Sequence, residues 1–354
     1  MAVVLASHAA AATDWDSVPV IQHKDYQAVT STGGSAYNAT SFPIRLRGVV
    51  LNNNEDWLNP TSDYCTVSGH PWTWTGGEAE FHIQAVNLDG TIWDPDANAT
   101  FNDFGGTSSW LGQNYGNTTH YSADNYAAMS LPWNYTEPQW YDELDRLQFS
   151  RPGTPLSAAQ MVRAGDLVEV RASIGLAYKG KMNVNEKHSN SPANDFEVVI
   201  LDKDYGLPIA AQLALSELKN SADQAIFDAT RQTGGERYQS SLVTLENVRL
   251  ADTTGWGTNS DLTLTDATGR TLGIHLGLND NFTTSPAPTG FFNVTGILDQ
   301  ADYSGMVGYR LLAMNAGSFV AVPEPGSMVL LAIGAAAMLL GWAIRGRAVG
   351  YASA

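Results

Sequence analysis

Cysteine is almost missing from this chain: among 354 residues only Cys65 carries a thiol. No intramolecular disulfide can form, so the fold must rest on core burial. Basic residues are scarce as well, 19 Lys and Arg against 36 Asp and Glu, for a formal charge of −17. The deficit is uneven. No Lys or Arg lies between Arg47 and Arg146, an interval that includes Glu55, Asp63, Glu80, Asp94, Asp103 and Asp145. Such a surface repels phosphate backbones and attracts cations. Catalytic signatures are absent too. There is no His-Glu-x-x-His, no Gly-x-Ser-x-Gly elbow and no glycine-rich phosphate loop, and the seven histidines are scattered without cysteine partners. Glu78 and Glu80 could face one way on a strand, but a carboxylate pair alone does not indicate a glycosidase. The expectation is a protein that is not an enzyme.

Long apolar runs are also absent until the end of the chain. There, residues 327–344 form an 18-residue stretch without a charge, followed by Arg345 and Arg347. As a helix it would cover roughly 27 Å, the hydrocarbon thickness of a bilayer. Arginines behind such a helix stay on the cytoplasmic side, which places everything before Pro323 outside. Pro323-Glu324-Pro325, then the apolar helix, then the arginines, resembles the PEP-CTERM sorting tail of bacterial exported proteins. The resemblance implies recognition and cleavage near Pro-Glu-Pro by a membrane-embedded exosortase-type enzyme. An ordinary C-terminal anchor is the alternative. At the other end, residues 1–12 look like the close of a secretory signal, with Val3-Val4-Leu5 and the small residues of 9–12. The basic n-region is missing, so the expected true start lies upstream and the mature chain begins near Thr13.

The body is rich in Gly, Asn, Ser and Thr and poor in charge, a profile that fits an all-β exported protein. Alternation predicts strands over 42–51, 80–88 and 165–178, with a turn at Lys179-Gly180-Lys181, a return over 182–184 and a further strand over 196–201. Residues 89–155 show no convincing helix. Seven of the ten tryptophans lie at Trp57, Trp72, Trp74, Trp93, Trp110, Trp133 and Trp140, which marks 52–160 as an ordered elaboration. Apolar residues at mixed three- and four-residue spacing predict short helices in a connector, 206–236. Beyond it, five strands are expected over 238–250, 261–266, 271–276, 291–298 and 309–314. Leu242 and Val248 fall on one face of the first, with Val243 and Leu245 on the other. Gly296 sits mid-strand, where a small barrel needs a bulge or bend.

Residues 236–315, with LVTLENV, LTLTDATGRTLGI, FFNVTGIL and YRLLAM, resemble the OB-fold modules attached to secreted bacterial nucleases and other large exported proteins. GDLVEVRASIGLAYKGKMNV in the first half is a weaker echo. The expected fold is therefore all-β. A first OB-like barrel spans 13–205 with the elaboration 52–160, and a helical connector spans 206–236. A second barrel spans 237–316, and a sorting tail over 317–354 carries a transmembrane helix at 327–344.

Three ligand classes can be weighed. Nucleic-acid binding needs a basic groove and aromatic platforms on the second and third strands. LTLTD and TLGIHL carry no aromatic, and Arg171, Lys179, Lys181 and Lys187 are the one basic group of note, so nucleic acid is disfavoured. Extracellular polysaccharide is favoured by the tryptophans. Trp72 and Trp74 share a face if extended, and Trp110 and Trp133 are further candidates, against the alternative that these rings are core. A structural calcium could sit on Asp94, Asp96 and Asn98, a D-x-D-x-N opening, but Ala99 and Gly105 stand where an EF-hand needs Gly and Glu. No other cofactor is expected. His275 is expected to be a packing residue. The functional expectation is an exported, non-catalytic envelope or matrix protein, with a polysaccharide-binding module as the alternative.

Overall fold

The computed structural model describes residues 13–37, 41–56, 79–86, 103–111, 137–150, 153, 156–186, 192–230, 233–303 and 306–323. Within these the chain is mostly β. A seven-stranded sheet is built from β1 (Ile44–Val50), β2 (Ala79–Ala85), β3 (Gly106–Leu111), β4 (Leu167–Ala172), β5 (Gly175–Tyr178), β6 (Lys181–Asn185) and β7 (Phe196–Asp202). Their order is β5-β6-β3-β2-β1-β4-β7, antiparallel except for the parallel pair β3–β6. Only Ser173 and Ile174 separate β4 from β5. The two therefore act as one bent strand that meets β1 at one end and β6 at the other. Alternation sends Ile44, Leu46, Phe81, Ile83, Val168, Val170 and Val184 into one core.

The second sheet contains β8 (Ala211–Leu213), β9 (Ser241–Leu250), β10 (Ser260–Thr265), β11 (Thr271–Leu276), β12 (Phe292–Tyr303), β13 (Met306–Ala313) and β14 (Phe319–Ala321). The order β9-β10-β11-β13-β12 is closed by β12 pairing back onto β9, giving a closed five-stranded barrel with one parallel pair, β11–β13. Closure removes the open edges that five short strands would otherwise expose. Val243, Leu245, Leu264, Ile274, Val294 and Leu311 fill its core.

Several expectations need correction. Val248 does not share a face with Leu242: it joins Val243 and Leu245 in the core. The cause is a bulge. Asn247 takes φ +51°, its N–H is bonded by the Asn293 side chain at 3.0 Å, and the β9–β12 register slips between Phe292 and Val294. Gly296 is therefore not the bulge, since it pairs regularly with Val243. A side chain there would instead strike the Leu312 carbonyl and Leu311. The connector is not helical in the main. It holds β8, which runs parallel to β9, and a single helical turn. Conversely, a helix of ten residues stands where none was expected.

The helices are α1 (His23–Tyr26), α2 (Glu137–Arg146), α3 (Leu215–Leu218) and α4 (Asn281–Thr284). In α2, Pro138 sits in the first turn, where a missing N–H costs nothing, and Leu144 reaches the first core.

Among the described residues no helix is long and apolar enough to cross a membrane. The expected helix over 327–344 lies outside the described residues, as do the signal-like residues 1–12.

The two β units touch directly. Leu51 packs with Ile297 and Leu312, flanked by Leu242 and Met314. Burying each such side chain stabilises by about 1.5–3 kcal/mol. Backbone and amide bonds lie alongside: Gly106 N–H to the Gln239 carbonyl at 2.7 Å, and Leu242 N–H to the Gln84 side-chain oxygen at 2.9 Å.

Candidate functional site

The face of β2, β3 and β6 turned away from their core is polar. Glu80, His82 and Gln84 stand opposite Trp110, Ser108 and Gly106 in the β2–β3 register, and Ser108 is level with Asn183 on β6. On an isolated sheet this would be the solvent side. Here β12 and β13 of the second barrel cover part of it, so His82, Gln84, Ser108 and Asn183 are almost fully buried.

At the uncovered end a cleft of about 210 Å³ remains, lined by Glu80, Trp110, Tyr178, Lys179, Lys181 and Asn183 from the first unit and by Gln300, Ala301 and Arg310 from the second. Its wall is aromatic: the Trp110 and Tyr178 rings lie 6.5 Å apart, tilted by 37°. The β5–β6 hairpin places Tyr178 and Lys181. Lys179 at φ +51° and Gly180 at φ +97° form its tight two-residue turn. Gly180 is further required because a side chain there would strike Gln300 and the Gly33 carbonyl.

The floor is a charged network across the junction. Lys181 Nζ bonds the Asp299 carboxylate and lies 3.6 Å from Glu80. Arg310 Nε donates to Asp299 Oδ2 at 3.2 Å, and the Ser108 hydroxyl bonds Glu80. Burial alone would raise the Asp299 carboxyl, but Lys181 and Arg310 outweigh it and hold the pKa down at about 2. Glu80 follows the same balance, lifted by burial and brought below its ordinary value by Lys181 and His82. Burial pushes His82 down despite the two carboxylates, so the ring gives up its proton more readily than an exposed histidine. Arg310 is held charged, because Asp299 and Glu80 more than offset its burial.

Two acceptors at this floor, Asn183 Oδ1 and Gln300 Oε1, are buried without a hydrogen-bond partner among the described residues. The Gln300 orientation is fixed by its amide, which donates to the Gly33 carbonyl at 2.6 Å. A buried acceptor left unmet costs about 1–3 kcal/mol.

Of the tryptophans proposed for ligand binding, Trp110 is at this cleft. Trp72, Trp74 and Trp133 lie outside the described residues, as do Asp94, Asp96 and Asn98 of the calcium proposal. Pro323 is exposed two residues beyond β14, while Glu324, Pro325, Arg345 and Arg347 lie outside the described residues.

Among the described residues Glu143, Glu186 and Asp195 converge closely enough to hold a metal. Arg146 already occupies their centre, 2.5 Å from Glu143, 3.2 Å from Glu186 and 3.9 Å from Asp195, so the trio is an ion-paired clamp. His275 is not merely a packing residue: its Nδ1 lies 2.8 Å from Asp261.

Sequence reasoning missed Asp299, Gln300 and Arg310 as site residues, placed Tyr178 in a strand, and took Lys179 and Lys181 only as part of a turn and of a small basic group. The available signal was the run of polar residues on β2 between strongly apolar ones, paired with a second polar run at Asp299-Gln300.

Comparison with known proteins bears on the tail. The PEP-CTERM protein-sorting motif matches residues 321–348. That motif indicates an exported protein sorted by an exosortase-type enzyme. No curated protein matches the chain. Among solved structures, that of a replication protein A heterotrimer bound to ssDNA is similar at 6% identity, over 90% of this chain and 72% of that one. Its TM-score is 0.20, and at that score the likeness carries no argument about fold or ligand.

Proposed function

We propose that this chain is a non-catalytic protein of the cell envelope or extracellular matrix, cleaved at its sorting tail, which binds polysaccharide in the cleft at the junction of its two β units. The observation that carries the reading is the Trp110–Tyr178 wall of a cleft whose remaining lining is mostly polar, with Glu80, Lys179, Asn183 and Gln300 beside it. Sugars offer the matching chemistry: an apolar ring face to lie on an aromatic side chain, and hydroxyls to bond the polar side chains of the lining. The charged groups beneath face one another in ion pairs, an arrangement suited to joining the two units and orienting a ligand rather than to moving protons.

Both units are read as OB-type barrels. In support, each follows the strand order 1-2-3-5-4-1 with a parallel 3–5 pair, provided that β4 and β5 count as one bent strand. In such barrels the face of strands 2 and 3, with the loop between strands 4 and 5, binds oligosaccharides or oligonucleotides. In the first unit that face is Glu80 and Trp110, and that loop is Lys179-Gly180.

Nucleic acid is the weaker fit. Of the basic group in the first unit, Arg171 is bound by Glu169 and Glu197, and Lys181 by Asp299, so no cationic track forms among the described residues. The anchoring helix over 327–344 is read as a transient membrane tether removed on processing.

The test is retention of the secreted protein on extracellular polysaccharide from the producing cells. Trp110→Ala should lose retention while melting within about 2 °C of wild type. Unchanged retention would refute the cleft as the binding site.

A further inference from the structure

We propose that the cleft selects an acidic sugar, with the carboxylate of a uronate residue seated on Lys179; this rests on the reading of the cleft as a saccharide site. Three cations line the cleft, Lys179, Lys181 and Arg310, against one carboxylate, Glu80. Asp299, fully buried beneath them, binds both Lys181 and Arg310, so these two are already matched. Lys179 is different. Among the described residues no carboxylate forms an ion pair with it, and its ammonium lies 5.2 Å from the centroid of the Tyr178 ring. A cation over an aromatic face gains some attraction but keeps its charge. On a chain of net charge −17, this leaves one uncompensated positive charge beside the aromatic wall, where a ligand would lie.

The floor imposes a second demand. Glu80, whose side chain is 18% exposed at the cleft, is a hydrogen-bond acceptor, so the ligand must present donors as well as negative charge. A phosphodiester linkage brings charge but no donor. A neutral sugar brings donors but leaves Lys179 unmatched. A uronate brings hydroxyls on the ring and a carboxylate at its rim, which meets both demands in one residue.

The experiment is calorimetric titration of the full chain with tetrasaccharides of galacturonate, glucuronate and mannuronate, with the methyl ester of each, and with a single-stranded oligonucleotide. At least one acidic tetrasaccharide should bind at least tenfold tighter than its ester. Lys179→Gln should abolish that preference, and Trp110→Ala should weaken acid and ester alike. Lys179 stands at the tip of the β5–β6 hairpin, so its replacement should leave folding intact. If esters bind as well as acids, or Lys179→Gln keeps the preference, the acidic selection is wrong and the saccharide reading stands. If no saccharide binds, or the oligonucleotide binds in preference, both fail.

Discussion

Replacing Lys181 by Met gives the sharpest test of how the two β units are joined. The Lys181 side chain is 6% exposed and its partner Asp299 is fully buried. Removing one member of a buried ion pair leaves the other charge uncompensated and costs about 3–5 kcal/mol. Arg310 remains 3.2 Å from Asp299 and supplies part of the lost attraction, which places the expected loss near the lower end, about 3 kcal/mol. For a unit of this size that is a fall of roughly 6–12 °C in melting temperature. Differential scanning calorimetry at neutral pH, with urea denaturation alongside, reads it. Lys179→Met is the control: with no ion-pair partner among the described residues, it should change stability by less than about 0.5 kcal/mol. In a double-mutant cycle with Asp299→Asn, the coupling should exceed about 1 kcal/mol. A Lys181→Met protein melting within 1–2 °C of wild type, roughly the reach of ~0.5 kcal/mol, would refute the reasoning. So would strict additivity in the cycle.

Acid should unfold the protein in a defined window. Asp299 is depressed from 3.8 to about 2 and Glu80 below 4.5, so both contribute stability above their unfolded values and lose it as pH falls through the folded ones. His82, pushed down by burial, begins to withdraw stability below its ordinary 6.5. Asp56 works the other way, since burial raises it to about 6 and its protonation favours the fold between about 6 and 3.8. The steep decline in melting temperature is therefore expected below about pH 4, and Asp299→Asn should flatten it; an unchanged profile would contradict the assignment. Arg146→Met should destabilise by about 3 kcal/mol, because it takes the guanidinium away from the buried Glu186 and from Glu143. Added calcium should recover part of that loss in the variant and do nothing for wild type, as thermal scans with and without chelator would show. Gly296→Val should cost about 1–3 kcal/mol or prevent folding, read by soluble yield and urea midpoint, since its side chain meets the Leu312 carbonyl.

The second barrel was the more legible part of the sequence because its signals are local. Alternating strands are separated by short turns, such as Asp266-Ala267-Thr268-Gly269, where Gly269 takes φ +86°. What escaped depends on contacts between distant residues. The bulge that brings Val248 inward is fixed by Asn293, more than forty positions away. Residues 207–230 carry Ala and Leu at helical spacing, yet pairing of Ala211–Leu213 with β9 wins over that local preference. The site was hidden for the same reason. Glu80, His82 and Gln84 follow the pattern of an ordinary wet strand face, and only the arrival of Asp299, Gln300 and Arg310 turns it into a buried floor. Trp110, singled out as a ligand candidate, lines the cleft, but its neighbours in space are far from it in sequence. The sorting tail, in contrast, is a linear signal and was readable outright.

Export is the claim on which the rest depends, and the intact mass of the protein recovered outside the cell tests it most directly. The account predicts an extracellular species that ends near Pro323-Glu324-Pro325, and retention of the apolar segment when the exosortase-type enzyme is deleted. Recovery of the uncleaved chain from the soluble cytosol, with or without that enzyme, would contradict it.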